Sequence, residues 1–171
     1  MPVYNQREQL PNLLERCKKT MPADVFIIVD NGSTDGSSEI IDQSGFECIR
    51  LGKNYGIGYA LKIGVEEALK RNCEIVVNMA GNGKMIPEQM SRIIDPIKNG
   101  EADYVTGSRF LDGGDSPNLP LFRRISIPLV VNALIWLLFF KKLTDATCGY
   151  RAFKVEIVNN PAVKWQEDWL W

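Results

Sequence analysis

Apolar and polar positions alternate along the chain in two rhythms. Leu10, Leu13, Leu14 and Cys17 fall at i, i+3, i+4 and i+7, which predicts an amphipathic helix over 6–19. "VFIIV" (25–29) is an unbroken apolar run of strand length, and "DNGSTDGS" ends it with turn formers before a helix near 36–43. "FECIRL" predicts a second strand, and Ile57, Leu61, Val65 and Ala68 line one face of a helix over 57–71. "EIVVNM" predicts a third strand. Pro87 then suits the first position of a helix whose core face is Met90, Ile93, Ile94 and Ile97. "ADYVTG" (102–107) completes the series. Strands alternating with helices predict an α/β domain with a mostly parallel sheet.

Two features depart from this rhythm. The opening "MPVYN" supplies only the end of an apolar strand, so the expectation is a single domain over 1–171 that lacks most of its first strand. The segment "ISIPLVVNALIWLLFF" (125–140) is the most apolar of all, flanked by Arg123-Arg124 and Lys141-Lys142 and interrupted by Asn132. As a helix it would span about 24 Å, short of a hydrocarbon layer of roughly 30 Å. Two readings remain: a buried core helix, or a helix lying in a membrane interface with its basic flanks on anionic headgroups.

Composition narrows the chemistry. At 171 residues the chain is long enough to bury a core, and a net charge of -1 gives no bulk attraction to nucleic acid. Cys17, Cys48, Cys73 and Cys148 form no C-x-x-C pair, which suits reduced thiols in a cytoplasmic setting. Histidine is absent, which excludes Ser-His-Asp and Cys-His catalysis and histidine metal sites.

Three segments carry candidate chemistry. In "VDNGSTDGS", Asp30 closes a strand and either accepts hydrogen bonds from a ligand at the sheet edge or caps its own turn. "GKNYGIGYALKIG" is a glycine-rich lead-in to a helix, suited to close approach of a ligand or to helix–sheet packing. "TDATCGYRAF" gathers Asp145, Cys148, Tyr150 and Arg151, the arginine fitting either a diphosphate or a structural ion pair.

Together these segments resemble the inverting family 2 glycosyltransferases of the GT-A fold, in the dolichol-phosphate mannose synthase-like branch. "PVYNQ" parallels the family's P-x-Y-N-E, "VDNGSTDGS" its V-D-D-G-S-T-D-G-T and "NYGIGYAL" its N-x-G-x-G-x-A. "ADYVTGSRF" and "DATCGYRAF" follow in order, so the resemblance covers 2 to 153. It implies a Rossmann-like sheet flanked by helices and a donor site for a UDP-, GDP- or dTDP-sugar. Pro2, Tyr4 and Asn5 would line the nucleotide, and Asp30 would face the base with Asn54 and Gly58 nearby. Arg109 and Arg151 would steady phosphates of donor or acceptor.

The pattern is broken in places. Gln6 and Asn31 replace a Glu and an Asp, and "MAGNG" stands where the family places the Asp-x-Asp that binds Mg²⁺ or Mn²⁺. Ala80 and Asn82 occupy the two carboxylate positions, and Lys84 falls where Gln often sits. Loss of both carboxylates should weaken metal binding greatly. The expectation is that Asn82 and Lys84 take over much of the metal's role, with a weakly held ion bridging Asn82 to Asp145.

The implied acceptor is a polyprenyl phosphate at the cytoplasmic face of a membrane, because a phosphate needs no base to activate it whereas a sugar hydroxyl does. The alternatives are transfer to a sugar hydroxyl, with Glu167-Asp168 as the base, and a non-catalytic nucleotide-sugar-binding relative. A nucleotidyltransferase fits less well, since no glycine-rich, lysine-containing opening is present.

Overall fold

The computed structural model describes residues 1–20, 25–112, 114, 120–140 and 144–160. The elements follow the predicted order. They are β1 (Pro2–Val3), α1 (Leu10–Thr20), β2 (Ile27–Asp30), α2 (Ser37–Ser44), β3 (Glu47–Arg50), α3 (Ile57–Lys70) and β4 (Ile75–Asn78). A 3₁₀ turn at Pro87–Gln89 leads into α4 (Met90–Lys98), and β5 (Tyr104–Thr106) follows. Next come α5 (Leu121–Ser126), a π-helical turn at Ile127–Val131, α6 (Asn132–Phe139) and β6 (Arg151–Lys154).

The strands form two three-stranded groups. β1, β2 and β3 are parallel, with Pro2 opposite Val29 and Ile27 opposite Glu47. In the second group β6 lies between β4 and β5 and runs antiparallel to both. The parallel reading of the sheet therefore holds for its first half, and the reversal enters with β6. The backbone N–H of Gly81 donates to Pro2 O at 3.0 Å, tying the loop after β4 to β1.

Side-chain alternation on β2 assigns the two faces. Ile28 packs with Val3, Leu10, Leu14 and Ile41, toward α1 and α2, while Ile27 and Val29 pack with Ala60 of α3. Leu13 and Cys17 of α1 join Ile93, Ile94 and Ile97 of α4 over Ala152 and Met79. The buried face of α1 is the predicted one, but the helix starts at Leu10 rather than at residue 6. Asn5 takes φ 51, and Gln6 O accepts from both Gln9 N–H and Leu10 N–H, so a turn occupies the first expected coil.

The buried-core reading of 125–140 is overturned. Leu129 is 69% exposed, Leu138 66% and Phe140 81%. Of the side chains described along 121–140, only Ile127 and Asn132 are buried, so the segment touches the body along a narrow line and presents its apolar bulk outward. Among the described residues no helix is long and apolar enough to cross a membrane.

Candidate active site

The loops after β2 and β3 and the turn after β1 form one hydrogen-bonded cluster. Asp30 is buried; one carboxylate oxygen accepts from Ser33 N–H at 3.0 Å and the other from the Ser38 hydroxyl. Its oxygens hold their own loop, as an Asx-turn does. Asn5 donates its N–H to Ser33 Oγ and accepts from Thr34 N–H at 2.9 Å. Asn31 joins the second loop to the first: its amide donates to Asn54 Oδ1 at 2.9 Å and Gly56 O at 3.1 Å and accepts from Tyr55 N–H. Pro2, Tyr4, Asn5, Asp30 and Asn54 thus share one edge of the sheet, with Tyr4 and Tyr55 exposed there, and Gly58 lies buried in the first turn of α3 that follows. The sequence showed Asn31 only as a departure from the family pattern, whereas its amide supplies both a donor and an acceptor that a carboxylate would not.

Gly32 lets these loops close. It takes φ +76, and an added Cβ would sit 2.5 Å from the Lys53 carbonyl carbon. Gly32→Ala should destabilise the domain by roughly 1–3 kcal/mol, measured by urea unfolding. An unchanged midpoint would mean that the loops relax at no cost.

Beside this cluster lies a cavity of about 940 Å³ between α1, α4, the 82–86 loop and the segments around Arg109 and Cys148. The loop is shaped locally: Gly83 takes φ +69, Asn82 Oδ1 accepts from Lys84 N–H at 3.1 Å, and Met85 Sδ accepts from Ala80 N–H. Among the described residues, Arg16, Lys84, Arg92 and Arg109 line the cavity with one carboxylate, Asp112. Arg16 is held by Glu88 at 2.9 and 2.6 Å, and Arg92 donates to Asp112 O at 3.1 Å. The Gly81–Pro2 hydrogen bond places this cavity next to the cluster at the end of β1 and β2.

Arg109 is anchored from below. Asp145 is fully buried; it accepts from Arg109 Nε at 2.6 Å, from Nη2 at 2.9 Å and from the Arg109 backbone N–H. Thr147 adds its N–H and hydroxyl to the same carboxylate. Burial works to raise the Asp145 pKa, but the bonds from Arg109 outweigh it and hold the carboxyl below its ordinary range.

These contacts bear on the expected metal site. Asn82 spends its carbonyl on a turn, both Asp145 oxygens are saturated, and the described residues contain no group of three carboxylate, thiol or imidazole ligands. Such a donor set does not fit a divalent ion that needs carboxylate oxygens.

Arg151 does not line the cavity. Its Nε donates to Cys148 O at 2.9 Å, and its charge opposes the upward shift that burial gives Tyr104. Glu167 and Asp168 lie outside the described residues. Two cavity residues were not singled out from the sequence: Arg16 and Arg92 sit beside the buried stripes of amphipathic helices, where a cation reads as solvated surface.

The glycosyl transferase family 2 model matches residues 1–160. The chain belongs to glycosyl transferase family 2. Among its relatives, the polyprenol monophosphomannose synthase of Mycolicibacterium smegmatis is 31% identical over 92% of this chain and 61% of its own length. The undecaprenyl-phosphate mannosyltransferase of Micrococcus luteus is 30% identical over 91% of the chain and 65% of its own. The dolichol-phosphate mannosyltransferase of Pyrococcus furiosus is 29% identical over 92% and 46%. The chain thus spans about half to two thirds of the length of these curated relatives. Glucosyl-3-phosphoglycerate synthase of Mycobacterium tuberculosis, solved with Mn²⁺, UDP-glucose and phosphoglyceric acid, superimposes with a TM-score of 0.67. That likeness covers 92% of this chain and 55% of that one at 20% identity, and establishes a GT-A-like fold. The family 2 domain therefore has the glycosyltransferase architecture expected from its motifs.

Proposed function

We propose that residues 1–171 act as one inverting glycosyltransferase unit that moves a sugar from a nucleotide-sugar donor to a polyprenyl phosphate at the cytoplasmic surface of a membrane. The observation that carries this reading is the cavity whose described lining holds four basic residues and one acidic residue, in a chain that also exposes an apolar helix. An acceptor phosphate supplies its own nucleophilic oxygen, since its second pKa lies near 6 by analogy with phosphomonoesters. A base such as Glu167 or Asp168 is then unnecessary. The relatives named for polyprenol, undecaprenyl-phosphate and dolichol-phosphate substrates support the same acceptor class.

In this mechanism the Pro2, Tyr4, Asn5, Asp30, Asn54 and Gly58 edge receives the nucleotide. Asn82 and Lys84 face the donor diphosphate, and Lys84 offsets its growing negative charge in place of the missing Asp-x-Asp carboxylates and their ion. Arg109, oriented by Asp145, presents its guanidinium to the acceptor phosphate. A phosphate oxygen attacks the anomeric carbon as the bond to the nucleoside diphosphate breaks, inverting the configuration. Arg151, whose Nε is held by Cys148 O outside the cavity lining, is assigned no step in this mechanism.

The deciding experiment incubates the chain with UDP-, GDP- or dTDP-sugars and a polyprenyl phosphate in vesicles. Formation of a lipid-linked sugar from one donor supports the reading, and transfer only to sugar hydroxyls overturns it. The missing carboxylates favour a second reading, a nucleotide-sugar-binding protein without transferase activity. Tight donor binding, seen as a raised melting temperature, with no transfer to either acceptor class would establish that one.

The apolar helix gives a separate prediction. Leu129, Leu137 and Leu138 are each more than half exposed, Arg124 lies exposed at the start of the same segment, and Lys141-Lys142 follow it in sequence. The chain should float with anionic vesicles, and the pair L137E and L138E should abolish flotation while leaving the melting temperature nearly unchanged. Flotation of the double variant would remove this helix from the membrane contact.

A further inference from the structure

Asn132 is a polar residue in the middle of the most apolar stretch of the chain, and it is buried. The π-helical turn at Ile127–Val131 explains how it points inward. The backbone N–H of Asn132 donates to Ile127 O, an i to i+5 bond. In a regular α-helix two residues five apart face directions about 140° apart. The π turn instead brings Ile127 and Asn132 to the same side, where both are buried. Single π turns of this kind are often found at functional sites.

The partners of Asn132 define what it does. Its Nδ2 donates to Thr144 O at 2.7 Å, and its Oδ1 accepts from Ala146 N–H at 3.2 Å. These two backbone groups flank Asp145, the carboxylate that orients Arg109. A single amide thus joins the exposed apolar helix to the anchor of the cavity arginine through three consecutive residues. Ile127 gives the helix a second, purely apolar foothold, so its attachment does not require a polar side chain at 132.

We propose that Asn132 is a positioning residue that transmits docking of the apolar helix on a lipid surface to Arg109, aligning the guanidinium for the acceptor phosphate only when the helix is engaged. This rests on the lipid-phosphate reading above and adds its regulation: the acceptor subsite is completed at the membrane. A residue that only held the helix in place would affect donor and acceptor kinetics alike. A coupling residue affects the acceptor alone.

The test uses the full chain, Asn132→Ala and anionic vesicles with and without polyprenyl phosphate. For the variant we expect the acceptor KM to rise about tenfold and stimulation by vesicles to be lost, while donor KM and vesicle flotation stay unchanged. Equal changes in donor and acceptor KM, or an unchanged acceptor KM with stimulation retained, overturn the proposal. A second readout is independent of transfer. Empty anionic vesicles should slow amide exchange at 144–147 in the unaltered chain and leave it unaffected in Asn132→Ala. If the unaltered chain shows no slowing there while it floats with vesicles, the coupling is refuted even where the variant does not fold. Slowed exchange without any lipid-linked product would retain the coupling and reject the acceptor reading.

Discussion

Arg109→Ala should destabilise the domain by roughly 3–5 kcal/mol at neutral pH, because it leaves the Asp145 carboxylate buried without its counter-charge. Asp145 is fully buried, and the Arg109 side chain is 24% exposed, so solvent can relieve little of the loss. The pH dependence separates this cause from lost packing. In the unaltered chain the bonds from Arg109 outweigh burial and keep Asp145 below the 3.8 of an unperturbed aspartate. That contribution is fully present above pH 3.8 and is lost as pH falls through the folded value. In the variant only the backbone N–H at 109 and the Thr147 donors still oppose burial, and with the guanidinium gone the folded pKa should rise above the unfolded one. The folded state then binds more protons than the unfolded state between those values, and stability falls as pH rises. Urea unfolding should therefore show the largest gap between the two proteins near pH 7, narrowing steadily toward pH 4. A gap independent of pH would mean that the Arg109 stem, and not its charge, supports the fold.

How much of this site the sequence revealed depended on how local each interaction was. The buried faces of α1, α3 and α4 follow from helical spacing, because burial there is set by residues three and four apart. The turn at Asp30 was legible for the same reason, since its partners Ser33 and Ser38 lie close to it in sequence. Arg109 and Asp145 are 36 positions apart, and the family resemblance implied a different partner for each: a phosphate for Arg109 and a metal ion for Asp145. Only the tertiary fold shows that the two neutralise each other. Arg16 and Arg92 were illegible for a related reason, because a cation beside a buried stripe looks the same whether it faces bulk water or a cavity. The segment 125–140 failed differently. Its composition suits a core helix as well as an interfacial one, and the deciding quantity, what packs against it, is absent from a single chain's hydropathy. Asn132, which the sequence shows only as a break in that run, ties it to the backbone of Thr144 and Ala146.

The second large effect concerns the 80–84 loop. Lys84→Ala should lower kcat by about a hundredfold to a thousandfold, the range seen when one preorganised group is withdrawn from a developing negative charge. Coulomb's law makes this reasonable. Two unit charges 4 Å apart at an effective dielectric near 20 interact by about 4 kcal/mol, and the exposed position of Lys84 reduces that. Because the charge on the diphosphate grows as the glycosidic bond breaks, the loss should fall on kcat more than on donor KM. Lys84→Arg should recover part of the rate, since charge is kept while the fork geometry differs. EDTA should leave the unaltered chain active, because Asn82 supplies a turn and Asp145 is saturated by Arg109 and Thr147. Full activity of Lys84→Ala together with complete loss in EDTA would overturn this account and return the diphosphate to a metal ion. The converse substitution tests the same logic from the other side. A80D combined with N82D places carboxylates at both positions where the resemblance puts the family's Asp-x-Asp, and Mn²⁺ should then raise the activity of a Lys84→Ala background. If the two added carboxylates gave no response to Mn²⁺, the loop would lack the geometry to hold an ion, and offsetting the leaving group's charge would fall to groups such as Lys84.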